Sequence, residues 1–267
     1  METSRLVLPE CADRLSQLPR ILIPSDHTLG DWIALPQDQL HYLCHVRRLT
    51  SRDPLLVVDG GGQLWLARLI QTQVQLEKLL PSPTQELPLP IHVGMAVLKG
   101  NAMDDLIRQF TELGVQRITP LLTERTLVQP SPAKQQRWQR IAQEAVEQCE
   151  RLQVPVITPP IPWGKWLQDL GESSFLMAVA RTSAPSVWQI LKENPPTQTI
   201  TLAIGPEGGW SETEIEQAIA FQGELVSLGS RILRAVTAAP VFTALVAAWI
   251  EDHIEPIQAR SPTTSEQ

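Results

Sequence analysis

AIGPEGGWSETE, residues 203–214, reads as a strand that enters a glycine-bearing turn and leaves it as a helix. Ser211 followed three positions later by Glu214 is the signature of a capping box, in which each residue satisfies the other's backbone N–H. The turn is not a phosphate loop, because the Gly-Lys-Ser/Thr ending is missing, and it is not GxGxxG. Glu207 inside the turn disfavours a phosphate and suits a cationic or ribose-bearing ligand. SLGSRILRAVTAA, residues 227–239, repeats the plan: a strand, a glycine, an irregular stretch and a helix. Arg231 and Arg234 lie three apart in an otherwise apolar segment. Charges are rarely buried alone, so these two either reach solvent or serve a site. Two glycine turns at the carboxyl ends of consecutive strands are where open α/β sheets bind ligands. Spacing alone therefore gives a nucleotide-like ligand and no named reaction.

Upstream of these turns, strands and helices alternate, which indicates an α/β domain over 91–255. IHVGMAVL (91–98), VQRITPLL (115–122), FLMAVA (175–180), TITLAIG (199–205) and LVSLG (225–229) read as strands. DDLIRQFTELG (104–114) carries Leu106, Phe110 and Leu113 on one helical face, with Gly114 as its stop. A long helix is expected over about 132–150 and another over about 212–222. A last one is expected from Thr237, with Pro240 in its first turn. PSPTQELPLP (81–90) holds four prolines in ten residues and marks a linker. Before it, Leu55–Asp59 and Leu64–Ile70 read as strands joined by Gly60-Gly61-Gly62, so residues 1–80 form a small, mostly β domain. One helix is expected there from Pro36, with Leu40, Leu43 and Val46 at helical spacing. The tail 256–267 is polar and expected to be disordered.

Composition narrows the function. The chain has 22 Lys and Arg against 29 Asp and Glu, a net charge of −7. Nonspecific coating of nucleic acid rests on phosphate neutralisation and is disfavoured. Arg47, Arg48 and Arg52, beside His41 and His45, still form a local basic patch that permits a selective nucleic-acid contact without demanding one. No stretch approaches the roughly 20 apolar residues of a membrane span. METSRLVLPECADRL lacks a secretory core, so a cytoplasmic protein is expected. Cys11, Cys44 and Cys149 are far apart and odd in number, so neither a disulfide framework nor a metal site is expected.

FTELGVQRITPLLTERT, RWQRIAQEAVEQC, IGPEGGWSETEIEQA and SLGSRILR, in this order, resemble the RsmE family. These are the small-subunit ribosomal RNA uridine-N3 methyltransferases of the SPOUT superfamily. HYLCHVRRL resembles the matching part of that family's first domain, and the likeness spans roughly residues 20–250. It implies a PUA-like β-barrel followed by a SPOUT-type α/β domain with a deep trefoil knot, an exception to unthreaded topology. It also implies a homodimer that binds S-adenosylmethionine in the knot loops and acts on 16S ribosomal RNA or the assembled small subunit. By position the cofactor falls on Ala180, on Ala203, Ile204, Gly205, Pro206, Glu207 and Gly208, and on Leu228, Gly229, Ile232, Leu233 and Arg234.

Uracil N3 is protonated at neutral pH, so the reaction needs an anion stabiliser, for which Arg234 is the first candidate and Arg231 its neighbour. Glu207 is the candidate proton acceptor; its structural alternative is a cap on the next helix. Arg47, Arg48, Arg52 and Arg125 are the expected RNA contacts, and Trp210 is either core or a stacking surface. Two departures stand out. Ala235-Val236-Thr237-Ala238 replaces the family's usual Thr-Glu-Thr-Ala, losing an acidic residue, and Cys149-Glu150-Arg151 replaces Ser-Gly-Arg at an expected substrate entrance. Alternative readings are another RNA target, 2′-O-ribose or transfer RNA, or a catalytically weakened ribosome-assembly protein.

Overall fold

The computed structural model describes residues 15, 17–23, 28–81 and 85–255. The N-terminal segment read for a secretory core falls mostly outside these residues, and the 256–267 tail entirely so. The chain divides into two compact units, 1–83 and 84–267.

The first unit is a five-stranded sheet: β1 (Arg20–Leu22), β2 (Trp32–Ala34), β3 (Pro54–Val58), β4 (Leu64–Ile70) and β5 (Gln73–Leu80), ordered β1-β3-β4-β5-β2. Only β1 and β3 pair in parallel. A register shift at Leu66/Ala67 bends the β4–β5 pair, as bulges do, and the sheet curls around Leu43, Leu55, Val57, Trp65, Val74 and Leu76. Between β3 and β4 the Asp59 carboxylate accepts the N–H groups of Gly61 and Gln63, fixing the glycine turn. The helix expected from Pro36 is short, α1 (Gln37–His41), and continues as a π-helical turn over Tyr42–Val46. The wider turn advances each residue through a smaller angle, so Leu43 is buried while Val46 is 62% exposed. The expected Leu40/Leu43/Val46 face is not formed.

The second unit is a parallel sheet of seven strands: β6 (Ile91–Ala96), β7 (Arg117–Leu122), β8 (Val156–Ile157), β9 (Ile161–Pro162), β10 (Ser174–Ala178), β11 (Ile200–Ile204) and β12 (Glu224–Val226). The order is β12-β10-β11-β6-β7-β8, with β9 also on β7. Every residue of β11 is buried, as expected of a strand covered on both faces. Its helices are α2 (Ala102–Glu112), α3 (Pro132–Cys149), α4 (Trp163–Gln168), α5 (Val187–Glu193), α6 (Glu212–Ala220) and α7 (Ala235–His253). Ser131 caps α3 by accepting the Lys134 N–H, with Pro132 at the first helical position.

Helix α7 corrects two expectations. It starts two residues before Thr237, so Pro240 sits inside the helix rather than in its first turn. Pro240 has no N–H, which leaves the Val236 carbonyl without its i+4 donor. At 19 residues and a mean hydropathy of 1.3, α7 is also long and apolar enough to cross a membrane, contrary to the reading that no stretch comes near. Its Ala239, Phe242, Val246 and Ile250 are instead packed in the core of the unit, against α2, α5 and β11. It is a core helix by environment.

Candidate functional site

The chain leaves β10 for β11 on one side and returns to pair β12 on the other. At such a switch point loops diverge and leave a crevice at the carboxyl ends of the strands. Here the crevice is a cavity of about 1350 Å³. Its walls are the loop after β10 (179–186), the 205–210 turn after β11 and the 227–234 segment after β12. Two of these walls are stitched together: Ser227 N donates to Pro185 O, and Ser186 and Ser227 form a parallel bridge.

The 205–211 turn is shaped by its own sequence. Gly209 N donates to Pro206 O at 2.9 Å, and Ser211 with Glu214 forms the expected capping box. The helix cap is therefore Ser211 and Glu214, and Glu207 is free of that task. Glu207 is exposed and lines the cavity, and its Oε1 accepts the backbone N–H of Lys99 at 3.2 Å. Trp210 is 9% exposed, packs at a tilt against Trp163 with ring centroids 4.7 Å apart, and donates Nε1–H to Ala178 O. It is a core residue whose edge forms part of the wall.

The glycines divide by role. A Cβ on Gly205 would stand 3.0 Å from the Trp210 ring, and one on Gly208 would stand 3.3 Å from the Arg125 stem. Both glycines are needed for internal packing. Gly209 (φ +71°) and Gly229 (φ +115°) need positive φ and have open space where a side chain would go. These two open the backbone to a ligand, and Gly209 was not singled out in the sequence.

Of the sequence-derived cofactor residues, Ala180, Ile204, Gly205, Pro206, Glu207, Gly208, Leu228, Gly229, Ile232, Leu233 and Arg234 line the cavity. Ala203 does not; it is fully buried in β11 among Trp163, Phe175 and Met177. Arg231 joins Arg234 on the wall, and so do Arg125 and Arg181. Arg181 adopts left-handed backbone (φ +64°), a costly conformation for a non-glycine that is common at functional sites. Among the described residues, Glu207 is the sole carboxylate lining the cavity against four guanidiniums. Val236 lines it too, so the position that lost its acid is an apolar part of the wall. The set suits a nucleoside ligand bearing a positive centre and an anionic polymer beside it. Apolar Leu228, Ile232 and Leu233 offer a flat surface, glycine backbone offers polar edges, and the arginines offer donors.

Arg125 was expected on RNA. Its Nη1 donates to Gly208 O at 2.8 Å, turning the guanidinium toward the turn. Arg151 was expected near a substrate entrance. It is 2% exposed, paired with Glu86, and donates Nη1–H to Thr111 O and Val115 O. It is a buried strut that does not line the cavity. Arg47, Arg48 and Arg52 lie in the other unit and are all exposed; Arg48 and Arg52 have positive φ (58° and 81°). His41 and His45 stack beside them, with ring centroids 4.4 Å apart. No group of three or more metal-ligating side chains occurs among the described residues.

A family profile described as an RNA methyltransferase domain matches residues 85–247, and one described as an RNA methyltransferase PUA domain matches 35–79. The chain is 41% identical over 236 residues to the ribosomal RNA small subunit methyltransferase E of Synechocystis sp., covering 87% of this chain and 78% of that one. It is 30% identical over 234 residues to the enzyme of that name from Buchnera aphidicola subsp. Schizaphis graminum, covering 83% and 92%. The crystal structure of a ribosomal RNA small subunit methyltransferase E from Neisseria gonorrhoeae, bound to S-adenosyl methionine, is similar with a TM-score of 0.78 at 30% identity. That likeness covers 87% of this chain and 98% of the other.

Proposed function

The chain belongs to the ribosomal RNA small subunit methyltransferase E family, and from that premise we propose that it methylates N3 of a uridine in 16S ribosomal RNA. It is an S-adenosylmethionine-dependent enzyme, and the cofactor supplies a methyl group activated on a sulfonium. The observation that carries the reading is the meeting of Glu207, Arg231 and Arg234 on one cavity walled by the two glycine turns.

The residues fit the cofactor. Gly209 and Gly229 leave room for a nucleoside to approach the backbone, and Leu228, Ile232 and Leu233 offer an apolar face for adenine. A lone carboxylate near a sulfonium is a favourable pairing. Methylation would form the N3–CH3 bond as the S–CH3 bond of the sulfonium breaks, leaving a neutral thioether, and the N3 proton is given up. Arg234, aided by Arg231, stabilises the charge that develops on the uracil as the proton leaves. Glu207 accepts that proton, since Val236 cannot.

The same reading gives the remaining roles. The exposed arginines of the five-stranded unit, Arg47, Arg48 and Arg52, dock structured RNA through its phosphates. The chain after β12 is threaded as a trefoil knot, and the protein works in the cytoplasm as a homodimer. On α7, Ala248 is exposed and Val241 and Leu245 are half-buried, Leu245 against the core, so this stripe offers the dimer contact only in part. Trp249, next along the helix, is buried in its own unit.

The test is transfer from labelled S-adenosylmethionine to small ribosomal subunits lacking the modification, followed by nucleoside analysis. N3-methyluridine supports the proposal. A 2′-O-methylated nucleoside, or no transfer, refutes it.

A further inference from the structure

We infer that Arg125 and Glu214 are positioning residues that hold the 205–211 turn ready for S-adenosylmethionine, so that Arg125 acts on the cofactor through the turn rather than on RNA phosphate. The inference rests on the proposed cofactor site and extends it to side chains from a different loop.

Between the end of β11 and Ser211 the turn has one internal backbone bond, Gly209 N to Pro206 O. The loop after β7 adds a bond to its backbone from outside. Arg125 Nη1 donates to Gly208 O at 2.8 Å, across 83 residues of sequence. The Arg125 stem lies flat on Gly208, where Cβ and Cδ are 3.3 Å from the place a side chain would occupy. One residue earlier, Glu124 N donates to Glu214 Oε1 at 2.8 Å. Glu214 Oε2 accepts the Ser211 N–H at 2.9 Å, so each oxygen of this buried carboxylate holds a different loop. The two braces grip the turn at its middle, Gly208, and at its end, Ser211.

A turn braced from outside loses less conformational freedom when a ligand binds, and that saving appears as affinity. Gly208 and Gly209 are the residues whose backbone must present a fixed shape. An arginine that donates Nη1–H to a backbone carbonyl of the turn serves that shape. A phosphate contact would instead affect RNA binding with or without cofactor.

The experiment compares the full-length wild type with Arg125→Ala and Arg125→Lys. Three quantities are measured: cofactor affinity by calorimetry, thermal unfolding, and the salt dependence of binding to a 16S ribosomal RNA transcript without cofactor. Losing one charge-assisted hydrogen bond weakens S-adenosylmethionine binding by about tenfold in Arg125→Ala. Arg125→Lys, which keeps a donor on a similar stem, recovers part of that loss. The slope of log affinity against log salt stays at the wild-type value. Unchanged cofactor affinity in Arg125→Ala overturns the inference, as does a salt slope lowered by about one, the mark of a lost phosphate contact. A wild-type chain that binds no S-adenosylmethionine overturns the proposed function itself.

Discussion

Glu207 Oε1 accepts the backbone N–H of Lys99 at 3.2 Å, which ties the one carboxylate of the cavity wall to the loop that follows β6. The bond orients a carboxylate without neutralising it, because a backbone amide carries no net charge. The residue itself lines the cavity. Glu207→Gln keeps an acceptor for Lys99 and removes the proton-accepting group. The turnover rate is expected to fall by about 10²–10⁴-fold. Cofactor affinity should change little. Steady-state methyl transfer with calorimetry checks this, and wild-type turnover in the variant would remove Glu207 from the chemistry.

Arg234 is the N-cap residue of α7, where its carbonyl accepts the N–H groups of Thr237 and Ala238. Those bonds come from the backbone, so Arg234→Ala should leave the helix start intact. Losing a donor aimed at developing charge lowers turnover by about 10²–10³-fold. Single-turnover kinetics at saturating cofactor reads this directly. An equal loss in thermal stability would mean the side chain is structural.

Glu150 ends α3 in the left-handed region (φ +63°), a backbone conformation that favours glycine at a helix C-terminus. The Cβ penalty there is about 1–2 kcal/mol. Glu150→Gly should therefore stabilise the second unit by about 1 kcal/mol. Urea unfolding measures it, and a destabilised variant would show that the interactions Glu150 makes outweigh its backbone strain.

Gly94 lies in β6 beneath α4, and a Cβ there would come 2.4 Å from the Trp166 ring and 2.9 Å from Leu121 Cδ1. Neither neighbour can retreat easily in a close-packed core. Gly94→Ala is expected to destabilise by about 1–3 kcal/mol. The midpoint of chemical denaturation should drop while the cofactor affinity of the folded fraction holds. A neutral substitution would mean the Trp166 ring moves aside at little cost.

His92, half-buried in β6, is held below the ordinary histidine range by burial and, secondarily, by the Arg117 charge beside it. In the folded chain it resists protonation, so the unfolded chain binds more protons as pH drops. Its contribution is present above about pH 6.5 and is lost as pH falls through the folded-state value. His92→Gln should flatten this part of the stability curve. Thermal melts of both proteins between pH 5 and 8 test it, and parallel curves would contradict it.

Local order accounts for what the sequence determined. Strands β6, β7, β10 and β11 were legible because each is a short apolar run between turn residues. The Ser211/Glu214 cap was legible because its two partners are three residues apart. Both glycine turns followed from their position after apolar strands, and most of the cavity lining from the family resemblance. Arg234 and Glu207 were found because a charge in an apolar or glycine-rich stretch needs a reason.

What only the tertiary structure decided depends on contacts between distant residues. The end of the α7 start region and its interior Pro240 were set by packing on α2, α5 and β11, which overrode the local preference for proline in a first turn. The π turn moved Val46 off the buried face, which no apolar spacing could foretell. Gly205 and Gly208 proved to make room for Trp210 and Arg125, while Gly209 and Gly229 open to the cavity. Arg125 and Arg151 each carried a charge the sequence assigned to RNA or its entrance, and folding turned one to Gly208 and the other to Glu86. The sequence fixes which groups are present and how the chain turns locally. Which of them meet across 65 or 83 residues is decided by the strand order, because only the sheet brings those loops to one edge.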